Sequence, residues 1–274
     1  MGKEARLDIS WFEQKKTQDK VLAPRKLELA YFDRLIYETC SEDEKSALIG
    51  TDTITGKIRR KLAPFTIHKF EESNMYHPEI FDFEDMYISG YFACEKYYAD
   101  ILYDLRERIQ FPPSDNEENT RMLQRIDACE AVSVHIRRGD YLDAANQQLF
   151  GNICTEAYYE GAIRLMKERY PQAQFFLFSD DPAYAGKKYT GEEYTVVDIN
   201  KGAASFYDIM LMSRCKHHIC ANSTFSFWGA RLNRNENKTM IRPTIHKNTQ
   251  VFDKEQMMDL WRGWTFVDNR GNEQ

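Results

Sequence analysis

The chain has 274 residues, of which 42% are apolar and 29% charged, with a formal net charge of −6. That composition supports a buried core and excludes a disordered tail, and the acidic balance excludes a nucleic-acid binder held by a general basic field. No apolar run approaches the ~20 residues of a membrane-spanning helix, and no apolar signal core follows the opening Met-Gly-Lys-Glu-Ala-Arg.

In chain order, 5–9 reads as a short strand, 41–49 as a helix, 86–92 as a strand with Gly90 inside it, and 95–109 as a helix. The stretch 51–78 carries no clear period. The run 112–127 opens Pro-Pro-Ser-Asp-Asn-Glu-Glu-Asn-Thr and continues as a short polar helix, which makes it the linker between two expected domains, 1–125 and 126–274. Beyond it the pattern is regular. Strands are expected at 131–137, 174–178, 194–199, 218–221 and 239–242, the last stopped by Pro243. Helices are expected at 155–169, 203–215 and 226–232. In the first of these Ala162, Leu165 and Met166 share a face opposite Arg164, Lys167 and Glu168. Strand and helix alternate, so the expected fold class is α/β, a doubly wound parallel sheet.

The six cysteines (Cys40, Cys94, Cys129, Cys154, Cys215, Cys220) form no Cys-x-x-Cys pair and read as reduced core residues of a cytoplasmic protein. His217 and His218 are neighbours, so their side chains point apart, and no structural zinc site is expected.

Ligands of such a sheet bind beyond the strand carboxyl ends. The first regular strand runs into His135-Ile-Arg-Arg-Gly-Asp-Tyr, with His135 and Arg137 on one side by alternation. Two arginines there suit a bound anion, because a guanidinium fork matches phosphate oxygens and keeps its charge. The rival reading for Arg138 is a surface ion pair with Asp140 or Glu130. The second strand ends Ser179-Asp-Asp-Pro, which fits helix capping. The segment from His218 to Ala230 runs a strand into Asn222, Ser223 and Thr224 and then opens a helix, and backbone N–H groups with hydroxyls at a helix start form a phosphate site. Ordinary capping by Asn222 or Ser226 is the alternative. Asp208 lies in an otherwise apolar helix, and spacing leaves open whether it faces solvent or a ligand amide or hydroxyl.

The stretches 135–141, 176–181 and 207–230 together resemble the alpha-1,2-fucosyltransferases of glycosyltransferase family 11, with weaker likeness at Leu7-Asp-Ile-Ser, Leu27-Glu-Leu and Ser89-Gly-Tyr-Phe. The resemblance implies a GT-B-like fold of two Rossmann-like halves, with an acceptor-side half at 1–125 and a donor half at 126–274. It implies inverting transfer of L-fucose from GDP-fucose to the 2-hydroxyl of a terminal galactoside, with no cofactor and no metal. The resemblance carries the diphosphate onto Arg137, with Arg138 and Asp140 supporting that loop. It carries the guanosine onto His135 and Asp208, and phosphate contacts onto Ser223 and Thr224; Asn222 is counted with this site from its place at the helix start. Arg137 is also the expected catalytic charge stabiliser and Asp143 the candidate base. The family's opening Gly-Gly-Leu-Gly-Asn-Gln loop has no match, so the N-terminal half is expected to lack its first strand and helix, and the chain is expected to bind GDP yet transfer fucose poorly. A metal-dependent GT-A transferase using Ser179-Asp180-Asp181 and a non-catalytic nucleotide-sugar or glycan-binding remnant are the rival readings. The expected location is cytoplasmic, with peripheral contact at the inner membrane face left open.

Overall fold

Residues 4–13, 26–138 and 144–274 are described by the structure, a computed structural model. The chain divides into two compact units, Met1–Gln110 and Phe111–Gln274. The division precedes the expected 125/126 boundary because the polar helix Glu117–Asp127 belongs to the second unit: its Met122 and Ile126 are buried with Ala131, Phe176 and Phe178 of that unit's sheet.

The first unit holds two separate parallel strand pairs, β1 (Arg6–Leu7) with β2 (Glu38–Thr39) and β3 (Lys69–Glu71) with β4 (Tyr87–Ser89). Among its described residues only Gly56, Ala93 and Cys94 are buried. The unplaced stretch 51–78 contains the helix Ile54–Leu62, capped by Thr53, whose Ile54, Ile58 and Leu62 are exposed. The helix expected at 95–109 is broken into two 3-10 turns, Glu95–Tyr97 and Ala99–Ile101, ahead of a short helix, Leu102–Arg108. Tertiary contacts override propensity here. The Tyr97 ring lies in a cluster with Tyr76, Phe81 and Phe92, and its hydroxyl donates to the Met75 carbonyl at 2.7 Å.

The second unit is built on one six-stranded sheet in the order β10-β9-β8-β5-β6-β7, every pair parallel. These strands are β5 (Glu130–Ile136), β6 (Ala173–Ser179), β7 (Tyr194–Val197), β8 (His217–Ile219), β9 (Met240–Pro243) and β10 (Trp264–Val267). The last strand and the helix Lys254–Leu260 before it were not expected from the sequence. Both faces of the sheet are covered. Val132, Val134, Ile136, Phe175 and Leu177 pack under Tyr158, Tyr159, Ala162, Ile163 and Met166 of the helix Glu156–Arg169. Ala131, Phe176 and Phe178 pack on the other face, against the helices Glu117–Asp127 and Phe206–Arg214. Strands buried on both sides explain the continuous apolar runs. Thr155 starts the helix Glu156–Arg169 by accepting the Tyr158 N–H at 3.1 Å.

That helix meets the chain's C-terminal turn at two glycines. A Cβ on Gly161 would stand 2.2 Å from the Gly271 carbonyl oxygen. Gly161→Ala is therefore expected to destabilise by about 1–3 kcal/mol, seen as a lower urea midpoint with an unchanged m-value. An unchanged midpoint would show that the turn at 268–272 yields freely.

Candidate functional site

The strand order reverses at β5: β6 and β7 extend to one side, and the chain then returns to place β8 on the other. The crevice beyond the carboxyl ends of β5 and β8 is thus a topological switch point. Two segments reach it, Arg137-Arg138 after β5 and Asn222-Ser223-Thr224 after β8.

After β5 the backbone is pinned on both sides. The Arg137 N–H donates to the Tyr159 hydroxyl at 3.4 Å and the Arg138 N–H donates to Asp180 Oδ1 at 2.9 Å. The two guanidiniums have different neighbours. Arg138 lies 3.6 Å above the Tyr184 ring with its Nε 3.4 Å from Asp181 Oδ2, whereas Arg137 Nε is 4.0 Å from Asp180 Oδ2. Arg138 therefore pairs with Asp181. Glu130, the partner weighed for it from sequence, is instead bonded to Lys216 and His217. Asp181 also caps the helix Pro182–Lys188, accepting the Tyr184 N–H at 3.0 Å, as the Asp-Pro order predicts. Gly139, Asp140, Tyr141 and Asp143 lie outside the described residues.

After β8 the loop is drawn tight. Ser223 caps the helix Thr224–Leu232, its Oγ accepting the Phe225 N–H at 3.3 Å. Asn222 is buried; its backbone N–H lies 3.3 Å from Cys154 Sγ and its side-chain amide donates to the His246 carbonyl. Asn222 thus holds the loop from behind, while Ser223 and Thr224, half-buried, stand at the helix start.

His135 alternates with Ala131 and Ser133, which places it on the sheet face covered by the helix Phe206–Arg214. It is 5% exposed, with its ring 5.5 Å from that of Phe225. Asp208 sits in the first turn of the same covering helix. Burial pushes its carboxyl up to about 7, further raised by Asp198 and opposed by a hydrogen bond from Asn200. So the question spacing left open is answered in part: Asp208 is half-buried and hydrogen-bonded, not a solvated surface charge.

His217 and His218 diverge as adjacent strand residues must. His217 bonds Glu130 and stacks on Tyr170, and His218 lies between Ser133 and Asn233. All six cysteines are free, but only Cys94, Cys215 and Cys220 are buried core residues; Cys40, Cys129 and Cys154 are half-buried. No helix among the described residues is long and apolar enough to cross a membrane.

A family model described as Glycosyl transferase family 11 matches residues 51–268, most of the chain and all three stretches that carry the resemblance. The chain belongs to that family. Family 11 relatives include an alpha-1,2-colitosyltransferase of Escherichia coli, 39% identical over 158 residues, which are 57% of this chain and 54% of the relative. The O-antigen biosynthesis glycosyltransferase WbnK of Escherichia coli is 39% identical over 113 residues, 41% of this chain and 37% of the relative. The galactoside alpha-(1,2)-fucosyltransferase 1 of Ateles belzebuth is 30% identical over 145 residues, 48% of this chain and 40% of the relative. The chain thus matches about half or less of the length of these family 11 proteins.

The sequence alone does not single out the polar residues packed around the candidate site. Asn119 is the clearest: it is 1% exposed and shares a helix face with buried Met122 and Ile126, a polar residue inside an apolar stripe at i, i+3 and i+7. Asp180, read from the sequence as helix-capping chemistry or as part of a GT-A carboxylate motif, accepts the Arg138 backbone N–H.

Proposed function

We propose that the chain is an inverting, metal-independent glycosyltransferase that moves L-fucose from GDP-fucose to the 2-hydroxyl of a terminal galactoside. The observation that carries the reading is that the arginine pair follows β5 and the hydroxyl-rich helix start follows the neighbouring β8, both at the sheet's switch point. The second unit is then the donor half of a GT-B-like pair and the first the acceptor half. Arg137 takes the charge that develops on the departing diphosphate, and Arg138, stacked on Tyr184, fixes the turn from which Arg137 extends. The helix start at Thr224 adds backbone N–H groups to the phosphates. His135 and Asp208, on one face of the sheet, take the guanosine. GDP is already a stable anion as it leaves, so the remaining proton is the acceptor hydroxyl's, and Asp143 is the proposed base. The sugar could instead be colitosyl, as the name of the Escherichia coli relative states for that protein.

Hydrogen exchange on the full chain tests the placement. GDP should protect the amides of residues 137–138 and 222–226, and protection confined to the first unit would overturn it. Transfer to lactose should proceed with EDTA present; loss of transfer in EDTA would favour a metal-dependent mechanism, and GDP binding without any turnover a binding role.

A further inference from the structure

The helix Glu117–Asp127 and the loop after β7 meet through a pair of amides, that of Asn119 buried and that of Asn200 half-buried. Asn119 Nδ2 donates to Asn200 Oδ1 at 2.8 Å, and Asn200 Nδ2 donates back to Asn119 Oδ1 at 2.9 Å. The second N–H of each amide goes elsewhere. That of Asn119 reaches Ser114 Oγ at 2.9 Å, and that of Asn200 reaches Asp208 Oδ1 at 2.8 Å. The two amides must face opposite ways to pair, and the Asp208 carboxylate, which can only accept, selects the arrangement in which Asn200 gives its oxygen to Asn119 and turns its second N–H toward Asp208. The segment leading into the helix is anchored beside them, since the Tyr207 hydroxyl donates to the Pro113 carbonyl at 3.0 Å and Phe206 stacks on Phe111.

Asp208 consequently receives a donor on one oxygen, and among the described residues Oδ2 takes no hydrogen bond. A carboxylate so held suits a partner presenting two adjacent N–H donors. Guanine offers N1–H and its 2-amino group, whereas adenine offers a bare nitrogen acceptor at N1 that the carboxylate repels.

We infer that Asn119 and Asn200 are positioning residues for base recognition: they hold the Asp208 carboxylate ionised and oriented toward a guanine Watson–Crick edge. This rests on the reading of Asp208 as facing the donor's base. The groups facing Asp208 are Asn200 and Asp198 from the loop after β7, the latter paired with Lys201, with Asn119 and Ser114 behind Asn200. Burial raises the Asp208 carboxyl, and the Asn200 hydrogen bond opposes that rise. Removing the amide should therefore leave more of the neutral acid, which has one oxygen protonated and cannot accept from N1–H and the 2-amino group together.

The test is calorimetric titration of GDP and ADP into the full chain across about pH 5.5–8.5, for the unaltered chain and for Asp208→Asn, Asn200→Ala and Asn119→Ser. Both nucleotides carry the same diphosphate, so the ratio of their affinities isolates the base. In the unaltered chain the ratio should fall as pH drops through about 7. Asn200→Ala should lower it about tenfold at pH 7 and move its midpoint up by about one pH unit, with ADP affinity nearly unchanged. Asn119→Ser, a gentler change should Asn200→Ala fail to fold, should shift ratio and midpoint the same way by less. Equal losses for GDP and ADP with an unmoved midpoint would reduce the amide pair to a structural tie and overturn the inference. If Asp208→Asn collapses the ratio while the amide variants keep it, the base reading stands and only the inference falls. If Asp208→Asn keeps the ratio, both fall.

Discussion

Arg137→Ala should lower GDP affinity about 100-fold, and Arg137→Lys by a large part of that, while Arg138→Lys should cost much less. A guanidinium that meets phosphate makes two charge-assisted hydrogen bonds in one plane, each worth ~1.5–3 kcal/mol. A lysine keeps the charge but replaces the fork with a single point donor. Arg138 contributes differently. Its guanidinium is stacked 3.6 Å from the Tyr184 ring and paired with Asp181, so its role is to hold the turn, and its backbone N–H stays bonded to Asp180 whatever the side chain. Titration of GDP into the three variants checks the order. Equal and negligible losses would show that neither side chain meets the phosphates. A larger loss from Arg138→Lys would exchange their roles.

What the sequence made legible follows the physics of each region. Strands buried on both faces carry long apolar runs, so β5 and β6 lie within a residue of their expected ends, as does the helix Glu156–Arg169 behind its Thr155 cap. The chemistry at the strand ends was equally visible, because Arg137, Arg138, Ser223 and Thr224 are strongly polar residues directly after apolar ones. The first unit was hard to read for the opposite reason: with so little of it buried, 51–78 has no period to show, and Tyr97 breaks a helix its neighbours would otherwise extend. The supports of the site were invisible for a third reason. Asn119 and Asn200 are 81 residues apart, and nothing local marks either as the partner of the other. Asn119 alone left a trace, as a polar residue in a buried stripe.

Acid should destabilise the chain well before its ordinary carboxylates titrate. His218 is fully buried, with Nδ1 2.8 Å from Ser133 Oγ and Nε2 accepting from Asn233 Nδ2 at 2.7 Å. A second proton would have to enter at Nε2, against a donor already there, and burial holds its pKa down to about 3. His246 is likewise pushed down to about 3, by burial first and then by the Arg242 guanidinium. In the unfolded chain both titrate near their ordinary value, about 6.5. As pH falls from 6.5 to 4.5 the unfolded chain therefore takes up two protons that the folded chain refuses, and stability falls. Asp208 acts with the opposite sign: its folded pKa of about 7 lies above its ordinary value, so the folded chain binds one proton that the unfolded chain does not. The net difference is at least about one proton, since burial also holds His217 below its ordinary value, or ~1.4 kcal/mol or more per pH unit. Below about pH 4 the slope should steepen as Asp8 joins. Burial pushes that carboxyl up, but hydrogen bonds from Ser10, Lys45 and Tyr87 outweigh it and hold the carboxyl well below the usual range. Urea unfolding at pH 7.5, 6.5, 5.5 and 4.5 measures the slope directly. His218→Gln should lower stability at pH 7.5 yet make the curve shallower between 6.5 and 4.5 by about one proton's slope, since one of the refused protons is gone. A flat curve in the unaltered chain would mean that these histidines accept protons in the folded state, and that the Ser133–His218–Asn233 contact opens to let them in.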